Sequence, residues 1–125
     1  MKLNHECVRD LLLYLEDNLS YNKSISINSL TLKSYSQEEL IYCAEKLIEA
    51  NYLICTKADG YQPPLIVARS ITYSGHQFLD NIRDNTVWKE TQNILSKVTS
   101  TSLSFAGNIA SQVLSNIISK QMGLN

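Results

Sequence analysis

The sequence predicts a mainly α-helical protein with a small β-hairpin or three-stranded wing sheet, winged helix-turn-helix-like, followed by C-terminal helices. Three observations carry this prediction. A strongly marked helix runs from Ser36 to Asn51, it feeds directly into two short apolar runs separated by turn residues, and amphipathic segments lie on either side. A winged-helix-like domain is expected over residues 1–85 and a helical extension over residues 86–125. At 125 residues the chain is long enough for one core of moderate size and too short for two ordinary domains.

The first helix is expected over residues 5–18. Asn4 is its N-cap, Glu6 sits in the first turn where the helix dipole favours an anion, and Leu3, Cys7, Val8, Leu11, Leu12, Leu15 and Leu19 form an apolar stripe. Between Tyr21 and Ser34 two readings stand. Ile25, Ile27, Leu30 and Leu32 alternate with polar residues as in a short strand joining the wing, and a helical turn around Asn28 to Leu32 fits as well. If the second helix of the turn unit is shortened here, that unit is degenerate.

Ser36-Gln37-Glu38-Glu39 reads as a capping box, the serine accepting from the Glu39 N–H while Glu39 reaches back to the serine N–H. Leu40, Ile41, Ala44, Leu47 and Ile48 then mark one buried face, with Glu38, Glu45, Lys46 and Glu49 outward. The runs 52–57 and 65–70 are β-type, and Asp59-Gly60 and Pro63-Pro64 between them are turn chemistry. After the hairpin, Ser74 and Gln77 stand at capping-box spacing before Phe78, Leu79 and Ile82. Asn85 or Thr86 caps a further helix carrying Val87, Trp88, Thr91, Ile94, Leu95 and Val98.

Residues 99–102 are a polar break, and the last segment differs in kind. No charged side chain occurs from Val98 to Ser119. At 100° per residue, Leu103, Ala106, Ala110, Val113, Leu114, Ile117 and Ile118 fall on one arc of roughly 140°. Ala106, Ala110, Gly107 and Ser111 add small residues at one-turn spacing, where another helix can approach closely. The segment Leu103 to Leu124 can pack on its own domain, on another protomer or on a membrane. A membrane is opposed by the absence of a basic polar face.

Several of these stretches together resemble a known family. They are residues 4–14 from Asn4 to Tyr14, Tyr35-Ser36 with residues 46–50, Ser70-Ile71-Thr72, residues 75–85 and Val87-Trp88-Lys89. In these the chain resembles the phage-associated family called domain of unknown function 2513, over nearly its whole length including the Ser-rich apolar tail. The resemblance implies a small protein of prophages or other mobile elements without an established activity, and it carries over no functional residues. The family often carries Trp where this chain has Tyr73, a change expected to keep the packing.

Composition narrows the function classes. Eleven basic against twelve acidic side chains give net −1, so polyanions are not generally attracted. Cys7, Cys43 and Cys55 are odd in number and never spaced C-x-x-C, which suits core thiols in a reducing cytoplasm. The N-terminus has no apolar signal core and no run is long enough to span a bilayer, so a cytoplasmic location is expected. His5 with Cys7, and His76 with Cys43, lack zinc-ligand spacing, and thiols and histidines alone do not make a nucleophilic site. No catalytic, metal or cofactor-binding residue is assigned, and a non-enzymatic protein is expected.

A winged helix suggests DNA, but the helix 36–51 carries Glu38, Glu39, Glu45 and Glu49 against Lys46 alone, and the wing tip holds Asp59 and no base. Phosphate neutralisation supplies most of the affinity in such complexes, so nucleic acid is not the favoured partner. Lys23, Lys33, Lys57 and Arg69 are either a patch elsewhere or scattered solvated bases. Trp88, Phe78 and the tyrosines at 14, 42, 52 and 73 are either an aromatic contact surface or, for most of them, core or its rim. The candidate interaction surface is Glu38, Glu45, Lys46, Glu49 and Tyr61, and the candidate oligomer or membrane face is the seven-residue arc of the tail. The expected function is a regulatory or protein-interaction module that forms a homo-oligomer through its tail. A DNA-binding transcription regulator and an effector whose tail acts on membranes are the alternatives.

Overall fold

A computed structural model describes residues 1–98 and 102–123. The expected class is what it contains: a mainly helical chain with a small three-stranded antiparallel sheet and C-terminal helices. The elements are α1 (His5–Asn18), β1 (Ile25–Ser26), a single 3-10 turn (Ile27–Ser29), α2 (Gln37–Glu49), β2 (Leu53–Ala58), β3 (Leu65–Ile71), α3 (Tyr73–Ile82), α4 (Asn85–Leu95) and α5 (Leu103–Gln121). The chain divides into two compact units, Met1–Gln77 and one that begins at Phe78, so the division falls inside α3.

In the first unit, Asn4 caps α1 by accepting from the Cys7 N–H, and Cys7, Val8, Leu11, Leu12 and Leu15 are buried. Both readings of the segment after α1 hold in part: Ile25 and Ser26 pair with Ala68 and Val67 of β3, and the next three residues make the 3-10 turn in place of a full helix. Asn28 fastens that turn to the wing, donating to the Pro64 carbonyl at 3.0 Å and accepting from the Ile66 N–H at 2.8 Å.

Ser36 caps α2 by accepting from the Glu39 N–H. The Glu39 carboxylate does not close the reciprocal half of the box. It accepts instead from Asn4 Nδ2 at 3.0 Å, so two helix caps are tied together. Leu40, Ile41, Cys43, Ala44 and Leu47 are buried. α2 stops because Asn51 takes a left-handed φ of 63°, and the Asn51 and Tyr52 N–H groups turn back to Ile48 and Leu47. This is a Schellman ending with Asn in the place of Gly. β3 is the centre of the sheet, in the order β1-β3-β2, with Leu53 opposite Ile71 and Ala58 opposite Leu65.

Three local expectations are corrected. Thr72, not Ser74, caps α3, because its Oγ1 accepts from the Gly75 N–H at 2.9 Å while donating to the Asn51 carbonyl at 2.7 Å. Asp84, not Asn85 or Thr86, caps α4 by accepting from the Val87 N–H, and α4 ends at Leu95, leaving Val98 outside the helix and exposed. Tyr73, read with the other aromatics as core or its rim, is 79% exposed, so little packing depends on its ring.

In the second unit, Phe78, Leu79, Ile82, Val87, Trp88, Thr91 and Leu95 are buried with one face of α5. Ser102 caps α5. Residues 99–101 of the expected polar break, and Leu124 of the expected tail, lie outside the described residues.

Candidate functional site

The outward face of α2 and the hairpin tip form the candidate interaction surface. Glu38 and Glu49 are exposed, Glu45 and Lys46 half-buried, and Tyr61 exposed at the tip. The two lysines of this region are bound into it. Lys46 Nζ lies 3.0 Å from Glu49 and 5.1 Å from the centre of the Tyr42 ring. Lys57 Nζ reaches from β2 to Glu45 at 2.9 Å and stands 3.8 Å from Asp59. Hydrogen bonds to Glu49 and Glu45 hold the two ammonium groups above the usual lysine range. Glu38, Glu39, Glu45, Glu49 and Asp59 against Lys46 and Lys57 leave the surface net negative by three charges.

A groove of about 310 Å³ opens between α2 and the tip, lined by Met1, Glu38, Ile41, Tyr42, Glu45, Gln62, Pro63 and Pro64. Tyr42 Oη donates to the Met1 carbonyl at 3.2 Å and brings the N-terminus to its edge. The sequence reading of this face contained Glu38 and Glu45 but missed Tyr42, Met1 and the Pro-Pro pair as its walls. The prolines signalled only a turn, and nothing local shows that the tip folds back toward α2.

The tail arc is divided. Leu103, Ala106, Ala110 and Val113 are buried within the second unit, Leu114 and Ile117 are half-buried, and Ile118 is 45% exposed. The small residue Gly107 admits no foreign helix. A Cβ built there would lie 3.0 Å from the Phe78 ring, so the chain's own aromatic fills that space. Met122 extends the uncovered part. No helix among the described residues is long and apolar enough to cross a membrane.

Two buried polar groupings were not visible in the sequence. Asp10, only 7% exposed on α1, accepts from Tyr35 Oη at 2.6 Å and pairs with Lys33 Nζ at 3.0 Å. Burial, then the hydrogen bond to Asp10, pushes the Tyr35 phenol well up. The Cys7 and Cys43 thiols, both buried, meet between α1 and α2. A hydrogen bond to Cys43 and then burial push the Cys7 thiol far above its ordinary range, while Cys43 donates to the Asn4 carbonyl. A thiol held this way, as Cys7 is, is un-ionised rather than nucleophilic. Cys55, half-buried, is pushed up to about 11 by burial. Among the described residues no three His, Cys, Asp or Glu side chains gather into a group able to hold a metal ion.

The family described as "Hypothetical protein (DUF2513)" matches residues 2–102. A protein of Haemophilus influenzae described as "Uncharacterized protein" is 28% identical over 122 residues, covering 98% of this chain and 99% of its own length. No solved structure matches. With a match that takes in α1, the wing sheet, α2, α3 and α4, the chain belongs to the DUF2513 family.

Proposed function

We propose that the chain is a non-enzymatic regulatory module that binds a basic, extended protein segment in the groove between α2 and the wing tip. The observation that carries this is the groove's lining: the exposed Glu38 carboxylate, with Glu45 shared with Lys57, beside the Tyr42 ring and Pro63 and Pro64. Carboxylates pair with Lys or Arg, and proline and tyrosine faces accept their aliphatic stems. Duplex DNA is a poorer fit, because Lys57 is neutralised by Glu45 and the surface is net negative. Self-association is proposed to use the uncovered end of α5, Leu114, Ile117, Ile118 and Met122, a narrower patch than the full arc.

The test is affinity capture of the tagged chain from its host, beside a Glu38→Lys/Glu45→Lys double variant, with and without nuclease. Partner protein retained through nuclease and lost from the variant is expected. Loss on nuclease treatment alone would point to nucleic acid and reverse the reading. For self-association, Ile118→Glu should lower the mass measured by light scattering. A wild-type mass equal to one chain removes that part.

A further inference from the structure

A second cleft, sharing no residue with the α2 groove, lies in the first unit beneath the end of α1, the loop after it, the end of β3 and the start of α3. Its volume is about 570 Å³, the size of small-molecule sites. We infer that this cleft is a nucleotide site, holding a phosphate between Lys23 and Arg69 and a base against Tyr21.

The charge pattern points to the phosphate. Three other lysines of this unit are paired with carboxylates, Lys33 with Asp10, Lys46 with Glu49 and Lys57 with Glu45, while Lys2, which does not line the cleft, has no such partner among the described residues. Among the described residues Lys23 meets no carboxylate, and Arg69 makes one side-chain bond, from Nε to Thr56 Oγ1 at 2.6 Å, leaving its terminal nitrogens for a ligand. Both bases line the same cleft although 46 positions separate them (69 − 23). The cleft's carboxylate is Glu16, with His76 Nδ1 3.9 Å from its Oε2, and Lys23 and Arg69 outweigh that carboxylate by one charge. The Ser20, Ser24 and Ser70 hydroxyls add donors for phosphate or sugar oxygens.

The ring of the ligand follows from Tyr21. It is a central residue of the turn closed by the Lys23 N–H and the Ser20 carbonyl at 3.0 Å, and its side chain is fully exposed. A planar ring with no packing of its own, two residues from a free cation and at a cleft that Leu15, Leu19 and Ile71 also line, is a stacking platform. A bare anion has no use for it.

The assay is calorimetric titration of the full chain at low salt with adenosine 5′-monophosphate, inorganic phosphate and a ten-residue oligothymidylate. Adenosine 5′-monophosphate should bind, and Lys23→Glu should weaken it by about tenfold or more, the loss of one charge-assisted phosphate contact and gain of a repulsion. Tyr21→Ala should weaken the nucleotide without touching inorganic phosphate. Lys23 and Tyr21 are exposed, so these variants test the site even if Arg69→Gln disturbs the β2–β3 pair. An oligonucleotide that binds more tightly, with the same sensitivity to Lys23, identifies the nucleotide as part of a single strand. One that binds no better identifies a free nucleotide. No heat with any of the three, phosphate binding as well as the nucleotide, or indifference to Lys23→Glu would overturn the inference.

Discussion

Gly75→Ala separates helix propensity from packing, because the two predict opposite signs. Inside α3, alanine in place of glycine should favour the helix by about 1 kcal/mol. The surroundings forbid it. A Cβ at Gly75 would sit 2.1 Å from the Tyr52 carbonyl oxygen and 2.8 Å from Ile71 Cγ2, so the gap to that oxygen must open by about 0.9 Å to reach 3.0 Å. The obstacle is backbone and it is pinned: the same oxygen accepts from the Thr72 N–H at 3.1 Å, and Thr72 Oγ1 donates to the Asn51 carbonyl at 2.7 Å. Sliding α3 away loosens both bonds, worth about 1 kcal/mol each, and overpacking adds about 1–3 kcal/mol. Set against the propensity gain, the net loss is about 3 kcal/mol. For a unit of this size that lowers Tm by roughly 12–24 °C. Thermal unfolding followed by circular dichroism reads it directly. A variant melting within a few degrees of the parent, or above it, would refute the close approach of α3 to Tyr52.

The remaining predictions are smaller. Ser36→Ala should cost about 1 kcal/mol in guanidinium unfolding through the lost cap, and Asn4→Ala more, because it removes the α1 cap and the donor to Glu39 together. Equal costs would mean that the Asn4–Glu39 bond contributes nothing. At pH 8 the folded chain should react slowly with iodoacetamide, since a Cys55 thiol pushed up to about 11 is ionised in roughly one molecule in a thousand and Cys7 and Cys43 are buried. Full denaturant should release three thiols, and a fast native thiol would contradict the burial. Burial lowers the pKa of His5 below 6.5, so the folded chain resists a proton that the unfolded chain takes up. Stability should therefore fall as pH drops through about 6.5, and less so in His5→Gln, as seen in unfolding midpoints at pH 7.5 and 6.

What was legible in the sequence is what a few neighbouring residues decide. Asn4, Ser36 and the 3.6-residue apolar stripes give α1 and α2, and the Asp-Gly and Pro-Pro turn with its flanking β-branched runs gives the hairpin. The cap errors share one cause. Thr72 and Asp84 precede the residues chosen from spacing, and Thr72 becomes the better cap because its hydroxyl also finds the Asn51 carbonyl, a partner 21 positions away. Asp10 reads as a solvated residue of α1 until Tyr35 and Lys33 close over it from the loop before α2.

The same non-local pairing decides how far the charge of α2 can be read from its own letters. Four glutamates against one lysine suggest a repulsive face, yet Glu39 is turned to Asn4 and Glu45 to Lys57, so two of the four carboxylates are already engaged by other elements. The freest of the four is Glu38, exposed and lining the groove, for Glu49 is held by Lys46. A basic partner should therefore feel Glu38 first. Glu38→Gln alone should weaken it more than Glu49→Gln, a ranking that net charge cannot give and that binding measured for the two single variants decides.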